Sequence, residues 1–350
     1  MKKALATLST ALLILQSAFG QFNYEISLPR PLDSPKDTFS VFILGDVMMH
    51  SRQMEYDCKG FLKELEPRMQ EADLCVTNME FTVAGKPYSG YPCFSAPEYY
   101  PEYIADCGSD IFLTANNHIL DRGSAGLDRT LEFYRQLEDS CGIRFTGTSG
   151  KPLIIRKECY SIAFINFTYG TNCGKDTRVN YMDTAAVRSS IVYAQKYGAD
   201  FIVVLPHWGE EYNLRHSESQ ERWARWLAAN GADVIVGSHP HVIQDTTHIG
   251  DVPVIYSIGN AVSNMSATNT RLELGVTLRF VYDGLSKKML EPQLDLLWCT
   301  IPGTLTRGYS TIEVKKGATR KSEWLDKSDY LNMMSTAARV LAETGIKCDY

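Results

Sequence analysis

From Ser40 onward, short apolar runs rich in β-branched and aromatic residues alternate with stretches of helical period. The runs fall at 41–44, 74–76, 111–114, 162–167, 201–205, 234–236 and 254–257. Helical stretches lie between them, near 59–70, 124–140, 184–197 and 217–229. The last opens on a capping box, Ser217 with Gln220, and stops at Gly231. Such alternation predicts an α/β fold whose buried strands are covered on both faces. The stretch 271–315 reads as more purely β. Residues 326–344 read as a closing helix ended by Gly345, with Leu331, Met334, Ala338 and Leu341 on one side. No internal repeat or low-complexity linker interrupts the pattern, so a single domain is expected over residues 40–350.

The N-terminus follows a different rule. Lys2 and Lys3 precede an uncharged Leu/Ala-rich run, and Ala18-Phe19-Gly20 forms a small-x-small pattern before Gln21. Residues 1–20 therefore read as a signal peptide, and 21–39 as an irregular, Pro-rich lead-in. The apolar run is short for a stable membrane anchor. The expectation is an exported protein, periplasmic or extracellular, with a retained signal anchor as the remaining option. Hydrophobic residues at 44% and charged residues at 22% exclude wholesale disorder. A formal charge of −6 without a basic tract argues against a nucleic-acid binder. All nine cysteines follow Gly20, and none has CxxC spacing, which argues against a zinc ribbon or thioredoxin-type site. An oxidising compartment permits disulfides among them, but an odd count leaves at least one thiol outside any intrachain pair.

The chemistry collects where the strands end. Gly45-Asp46 closes the first run, and Asn78-Met79-Glu80 the second. Asn116-Asn117-His118, then Asp121 and Gly123, close the third. Later runs end in His207-Trp208-Gly209 with Glu211-Tyr212, in Ser238-His239-Pro240-His241, and in Gly259-Asn260. In an α/β sheet the carboxyl ends of the strands form one rim, where ligands bind. Singly these residues are weak signals: Asp46 after a glycine could cap a turn, and Asn117 could make an Asx-turn. Extended i, i+2 spacing would put the imidazoles of His239 and His241 on one face, stiffened by Pro240. Jointly, several loops deliver carboxylates, an amide and imidazoles to one rim, which points to a metal site. The donors are oxygen and nitrogen without thiolate, which suits Mn²⁺, Fe or Zn²⁺.

The segments GDVMMH (45–50), NMEF (78–81), ANNHILDRG (115–123), HWGEEY (207–212), GADVIVGSHPHVIQ (231–244) and VIYSIGN (254–260) span the core motifs of residues 41–260. In this order they resemble the bacterial capsule-synthesis proteins of the CapA type, associated with poly-γ-glutamate capsules. Through them the chain resembles the calcineurin-like metallophosphoesterases. The resemblance implies a four-layer α/β/β/α sandwich. It implies metal ligation by Asp46, Glu80, Asn117, His207, His239 and His241, with His118 acting on the leaving group. Asp121 would either orient His118 or cap the following helix. Met48 stands where the phosphoesterases carry a histidine, and His50 lies two residues further on. One metal position, Glu80, Asn117, His207 and His239, would be complete and tight. The other, Asp46, Glu80 and His241, would be weak or filled by His50 or water. Glu211 and Asn260 read as neighbours of the ligands or substrate, and Trp208 and Tyr212 as pocket wall. The implied activity is hydrolysis of a phosphoester or of a polyglutamate-like or envelope polymer by metal-activated water. The alternative is a non-catalytic accessory working with membrane-bound capsule machinery.

Overall fold

The computed structural model describes residues 38–348. The predicted signal peptide and most of the lead-in lie outside the described residues. Thr38 and Phe39, the end of that expected lead-in, already belong to the first strand.

The chain builds one sheet, then a second, then returns to the first. Strands β1 (Thr38–Val47), β2 (Leu74–Met79), β3 (Ile111–Leu113) and β4 (Arg144–Thr146) run parallel in that order. The second sheet holds β5 (Leu153–Lys157), β6 (Tyr160–Thr168), β7 (Phe201–His207), β8 (Val234–Val236), β9 (Thr246–Ile249) and β10 (Val252–Ile255), in the order β5-β6-β7-β8-β10-β9. Its central strands β6, β7, β8 and β10 are parallel. The chain then adds β11 (Asn260–Val262), β12 (Leu272–Tyr282), β13 (Lys287–Met289), β14 (Gln293–Thr300) and β15 (Ser310–Glu313) to the first sheet. Strand β11 pairs parallel with β1, and β12 antiparallel to it.

Period-2 alternation sorts the side chains into layers. Val41, Ile43, Val76, Ile162, Phe164, Val203 and Leu205 share one core between the sheets. Phe42, Leu44, Cys75 and Phe112 face outward and pack with α1 (Glu66–Glu71), α2 (Tyr99–Asp106) and α3 (Gly123–Cys141). Ala163, Ile165, Ile202 and Val204 face outward from the second sheet toward α4 (Thr184–Lys196) and α5 (Glu218–Asn230). The result is the four-layer α/β/β/α sandwich. The chain closes with α6 (Val314–Thr319) and α7 (Lys327–Thr344).

Two helical expectations are corrected. The stretch near 59–70 is helical only over Glu66–Glu71, preceded by a short 3₁₀ turn at Cys58–Gly60. Pro67 lacks an N–H and fits only a first helical turn, so the helix starts beside it. The inner face of α7 is carried by Met333, Ala337 and Val340 rather than by Leu331 and Ala338, which are exposed. Asp329 selects that face. The Arg271 guanidinium donates to Asp329 Oδ1 at 2.6 Å and Oδ2 at 2.7 Å, and lies 4.4 Å from the Trp298 ring centroid. Arg271 Nε also donates to the Cys299 carbonyl at 2.9 Å.

Removing one partner of a buried ion pair strands the other charge, at a cost of about 3–5 kcal/mol. Asp329→Ala should lower unfolding stability by about that amount. Denaturant unfolding followed by circular dichroism checks it; a loss below about 1 kcal/mol would show that apolar packing alone seats α7.

Candidate metal centre

Strict alternation along β1 would send Asp46 outward, since Ile43 faces in and Leu44 out. The register against β2 shifts between Leu44 and Asp46, and this bulge turns Asp46 inward. Gly45 permits it, because a Cβ there would lie 2.1 Å from the Gly259 carbonyl oxygen. The Gly45 amide donates to Glu273 Oε1 at 2.7 Å. Inward Asp46 then accepts from Asn78 Nδ2 at 2.7 Å and from the His239 amide at 3.2 Å. His241 Nδ1 lies 3.3 Å from the same carboxylate. Burial raises the Asp46 pKa, but His241, His207 and Asn78 outweigh it and bring it down to about 2.

Glu80, just beyond β2, is fully buried, and neither carboxylate oxygen has a hydrogen-bond partner. Its Oε1 lies 3.6 Å from His207 Nε2 and 3.8 Å from His241 Nε2. Burial, followed by the charges of Asp46 and Glu211, pushes its pKa well above the carboxylate range.

His207 ends β7, with Nδ1 3.0 Å from Ser238 Oγ and Nε2 2.8 Å from Asn117 Oδ1. His239 and His241 are not extended, as the i, i+2 reading expected. They sit at φ 100° and 58°, in left-handed territory. Histidine is enriched there relative to most residues, yet such backbone persists only where its surroundings hold it. Here the His239 amide bonds to Asp46, and the Tyr212 amide donates to the Pro240 carbonyl at 2.8 Å. The rings of His207 and His239 lie 4.8 Å apart, and those of His239 and His241 5.9 Å apart. His239 Nδ1 is buried without a partner. Asn260 Nδ2 donates to the carbonyls of His241 and Thr270, so its Oδ1, 2.9 Å from His241 Nδ1, must accept. That places the proton on Nδ1 and leaves the His241 Nε2 lone pair facing Glu80.

Burial lowers the pKa of His207 to about 3, against the opposing charge of Asp46. It lowers that of His239 well below the usual range. His241 goes the other way: burial opposes its charge, but the Asp46 and Asn260 contacts outweigh it.

His118 follows β3. Its Nδ1 lies 2.7 Å from Asp121 Oδ2, which also accepts from the Phe94 amide at 2.7 Å. Arg122, not Asp121, is the residue before α3, and no side chain caps that helix. Asp121 therefore orients the imidazole rather than capping.

The other sequence candidates divide. Glu211 reaches His239 and His241 with donor atoms all within 4.8 Å, near enough to join them as a ligand. Tyr212 is half-exposed, 6.4 Å ring to ring from His241. Trp208 is not pocket wall. One step past inward His207, it turns into the outer core under the helices and donates to the Tyr256 carbonyl at 2.9 Å. Met48 packs in the outer core of the first sheet. His50 Nδ1 is engaged by Gln53 Oε1 at 3.0 Å and by the Asn264 amide at 3.3 Å. Among the described residues no metal-capable cluster includes it.

Some contributors went unread in the sequence, and Asn78, though part of the Asn78-Met79-Glu80 cluster, was given no role despite lying two residues before Glu80 on the same strand face. Tyr169 and Asn172 follow β6, whose carboxyl end shares the rim. Tyr169 lies 4.6 Å ring to ring from His239, and Asn172 Nδ2 lies 3.4 Å from His118 Nδ1.

The residues fit a divalent cation. Glu80, His207 and His239 form one compact donor set, and Asp46, Glu80 and His241 another. The unpartnered Glu80 oxygens and His239 Nδ1 supply buried lone pairs with no proton to accept.

Comparison with known proteins follows the same residues. The family described as "Bacterial capsule synthesis protein PGA_cap" matches residues 40–265. "Capsule biosynthesis protein CapA" of Bacillus anthracis is 26% identical over 67% of this chain, which spans 62% of that protein's length. "PGA biosynthesis protein CapA" of Bacillus subtilis (strain 168) is 29% identical over 69% of this chain and 68% of its own. Among solved structures, the calcineurin-like phosphoesterase YfkN from Bacillus subtilis aligns over 89% of this chain and 100% of its own, at 15% identity and TM-score 0.48. Haemophilus influenzae NAD nucleotidase aligns over 86% of this chain and 62% of its own, at 12% identity and TM-score 0.46.

Two outcomes follow from the electrostatics. Between their lowered pKa values and ~6.5, His207 and His239 are neutral in the fold while the unfolded chain takes up protons. Stability of metal-free protein should therefore fall as pH drops from about 6.5, by about 1.4 kcal/mol per pH unit for each such group. Glu80 and Glu273, whose pKa values are raised, oppose this above ~4.5, while part-buried His50, lowered to about 4, adds to it, so three groups act against two. Urea midpoints across pH 4–7 check the sign. Secondly, Glu80→Gln replaces a carboxyl group that burial already drives toward its neutral form with a permanently neutral amide. The metal-free variant should be no less stable than the wild type, and its melting temperature should not respond to Mn²⁺ or Zn²⁺.

Proposed function

Because the chain belongs to the bacterial capsule synthesis family, we propose that it is an exported, metal-dependent hydrolase acting on a phosphoester or on a polyglutamate-like or cell-envelope polymer. The observation that carries this reading is Glu80. A buried carboxyl group without a hydrogen-bond donor, beside imidazoles that include the neutral His207 and His239, is a cation site in waiting.

Glu80, Asn117, His207 and His239 would hold a tight cation, and Asp46, Glu80 and His241 a weaker one, with Glu211 within reach of His239 and His241. A divalent cation there supplies Lewis-acid chemistry, polarising a substrate oxygen and making water nucleophilic near neutral pH. Mn²⁺, Fe and Zn²⁺ all suit this donor set.

The chain's own residues do the rest. Asp121 accepts the Nδ1 proton of His118, so Nε2 is the nitrogen that exchanges a proton with the leaving group. The Phe94 ring edge, 4.7 Å from the imidazole centroid, and the Asn172 amide limit its rotation. Ser238 Oγ can accept the Nδ1 proton of His207, and Asn260 Oδ1 that of His241, which leaves their Nε2 lone pairs directed inward. Half-exposed Tyr169 and Tyr212 flank the imidazoles where a substrate would enter.

A second reading, a non-catalytic accessory in polymer synthesis or export, draws on Met48. The position that would supply a further ligand to the weaker site carries a thioether turned into the core.

Metal content and a turnover screen decide between the readings. Purified protein should carry one firmly held metal by elemental analysis, lost in His207→Ala. With Mn²⁺ supplied, it should cleave a member of a panel of phosphomonoesters, phosphodiesters, nucleotides and γ-glutamyl polymers. Asn117→Ala should abolish that activity, and His118→Ala should lower kcat by about 10²–10⁴-fold. A metal-loaded, folded protein inert toward the whole panel would favour the accessory.

A further inference from the structure

Two thiols meet at the edge of this site. Cys93 and Cys173 are 80 positions apart in sequence, yet their side chains lie within hydrogen-bonding reach. Each is attached directly to a residue that frames His118. Cys93 precedes Phe94, whose ring meets the imidazole edge-on at 88° and whose amide bonds to Asp121. Cys173 follows Asn172, whose amide donates to the Asn117 carbonyl at 2.8 Å and whose side-chain nitrogen approaches His118. Two separate loops thus converge on one imidazole, and the two thiols lie near each other where they converge. Both cysteines are partly exposed, so a reagent can reach them, whereas Cys58, Cys75, Cys107 and Cys299 are buried.

We propose that Cys93 and Cys173 form a disulfide that ties these two loops together around His118. Disulfides demand close approach of side chains from well-placed backbones, and the convergence of both loops on His118 brings these two side chains toward that approach. The oxidant is an exogenous disulfide. One thiolate attacks it, forming a mixed disulfide and releasing one thiol. The second thiolate then displaces the other thiol, so two S–H bonds become one S–S bond and the reagent is reduced to two thiols. In the cell this oxidant depends on the exported location of the proposed function. With purified protein it is supplied, so the chemistry is tested apart from that reading.

Full-length protein equilibrated with a defined mixture of oxidised and reduced glutathione, then alkylated and digested without reduction, is the test. The expected result is a peptide pair linked through Cys93 and Cys173, while exposed Cys141 stays alkylatable. Cys173→Ser should free Cys93 for alkylation and remove the rise in urea midpoint that oxidation gives the wild type. The wild-type peptide map alone decides the matter if that variant fails to fold. Cys93 and Cys173 remaining alkylated at the rate of Cys141 after oxidation would overturn the proposal, as would either of them linked to a different cysteine.

Discussion

Glu80 places a carboxylate where water is excluded and no donor reaches it, and much of the surrounding architecture answers that charge. In a low-dielectric interior such a group either takes up a proton or recruits a cation. The imidazoles around it are set for the second outcome, because burial keeps His207 and His239 neutral with lone pairs available. The same desolvation that makes Glu80 costly therefore prepares its neighbours as ligands.

The frame around that centre is made by backbone devices rather than by side-chain choice alone. A bulge at Gly45 reverses the phase of β1, so that Asp46 faces its partners while Leu44 and Val47 stay in the outer core. Glu273, from the antiparallel β12, secures the bulge through the Gly45 amide. On the opposite sheet, His239 and His241 accept left-handed backbone to turn their rings inward, and Asp46 and Tyr212 hold the loop there. Asp46 is thus both a donor of lone pairs and a clamp on the loop that brings the histidines. Functional groups on the two sheets are coupled through it.

Much of this was legible in the chain. The apolar runs located the central strands, and period-2 alternation places Glu80 and His207 inward without further information. The same rule, applied one residue on, turns Trp208 away from the site, although its place beside His207 suggested pocket wall. Pro67 likewise carried the signal that confines α1 to a short helix. Asn78 was readable from its i, i+2 relation to Glu80. These were local rules, and where they were followed through they located the residue.

What the sequence determined, then, is the alternation of strands and helices, the α/β class and the set of oxygen and nitrogen donors at the strand ends, whereas the four-layer sandwich was implied by the resemblance of its motifs. Those depend on local periodicity and residue type, which the chain carries position by position. Tertiary structure alone decided the inward turn of Asp46, the left-handed entry of His239 and His241, the engagement of His50 by Gln53 and Asn264, and the meeting of the Cys93 and Cys173 loops at His118. It also decided which face of α7 is buried, through the Arg271–Asp329 pair. Each depends on contacts between segments distant in the chain, and no periodicity within one segment encodes what another will place opposite it.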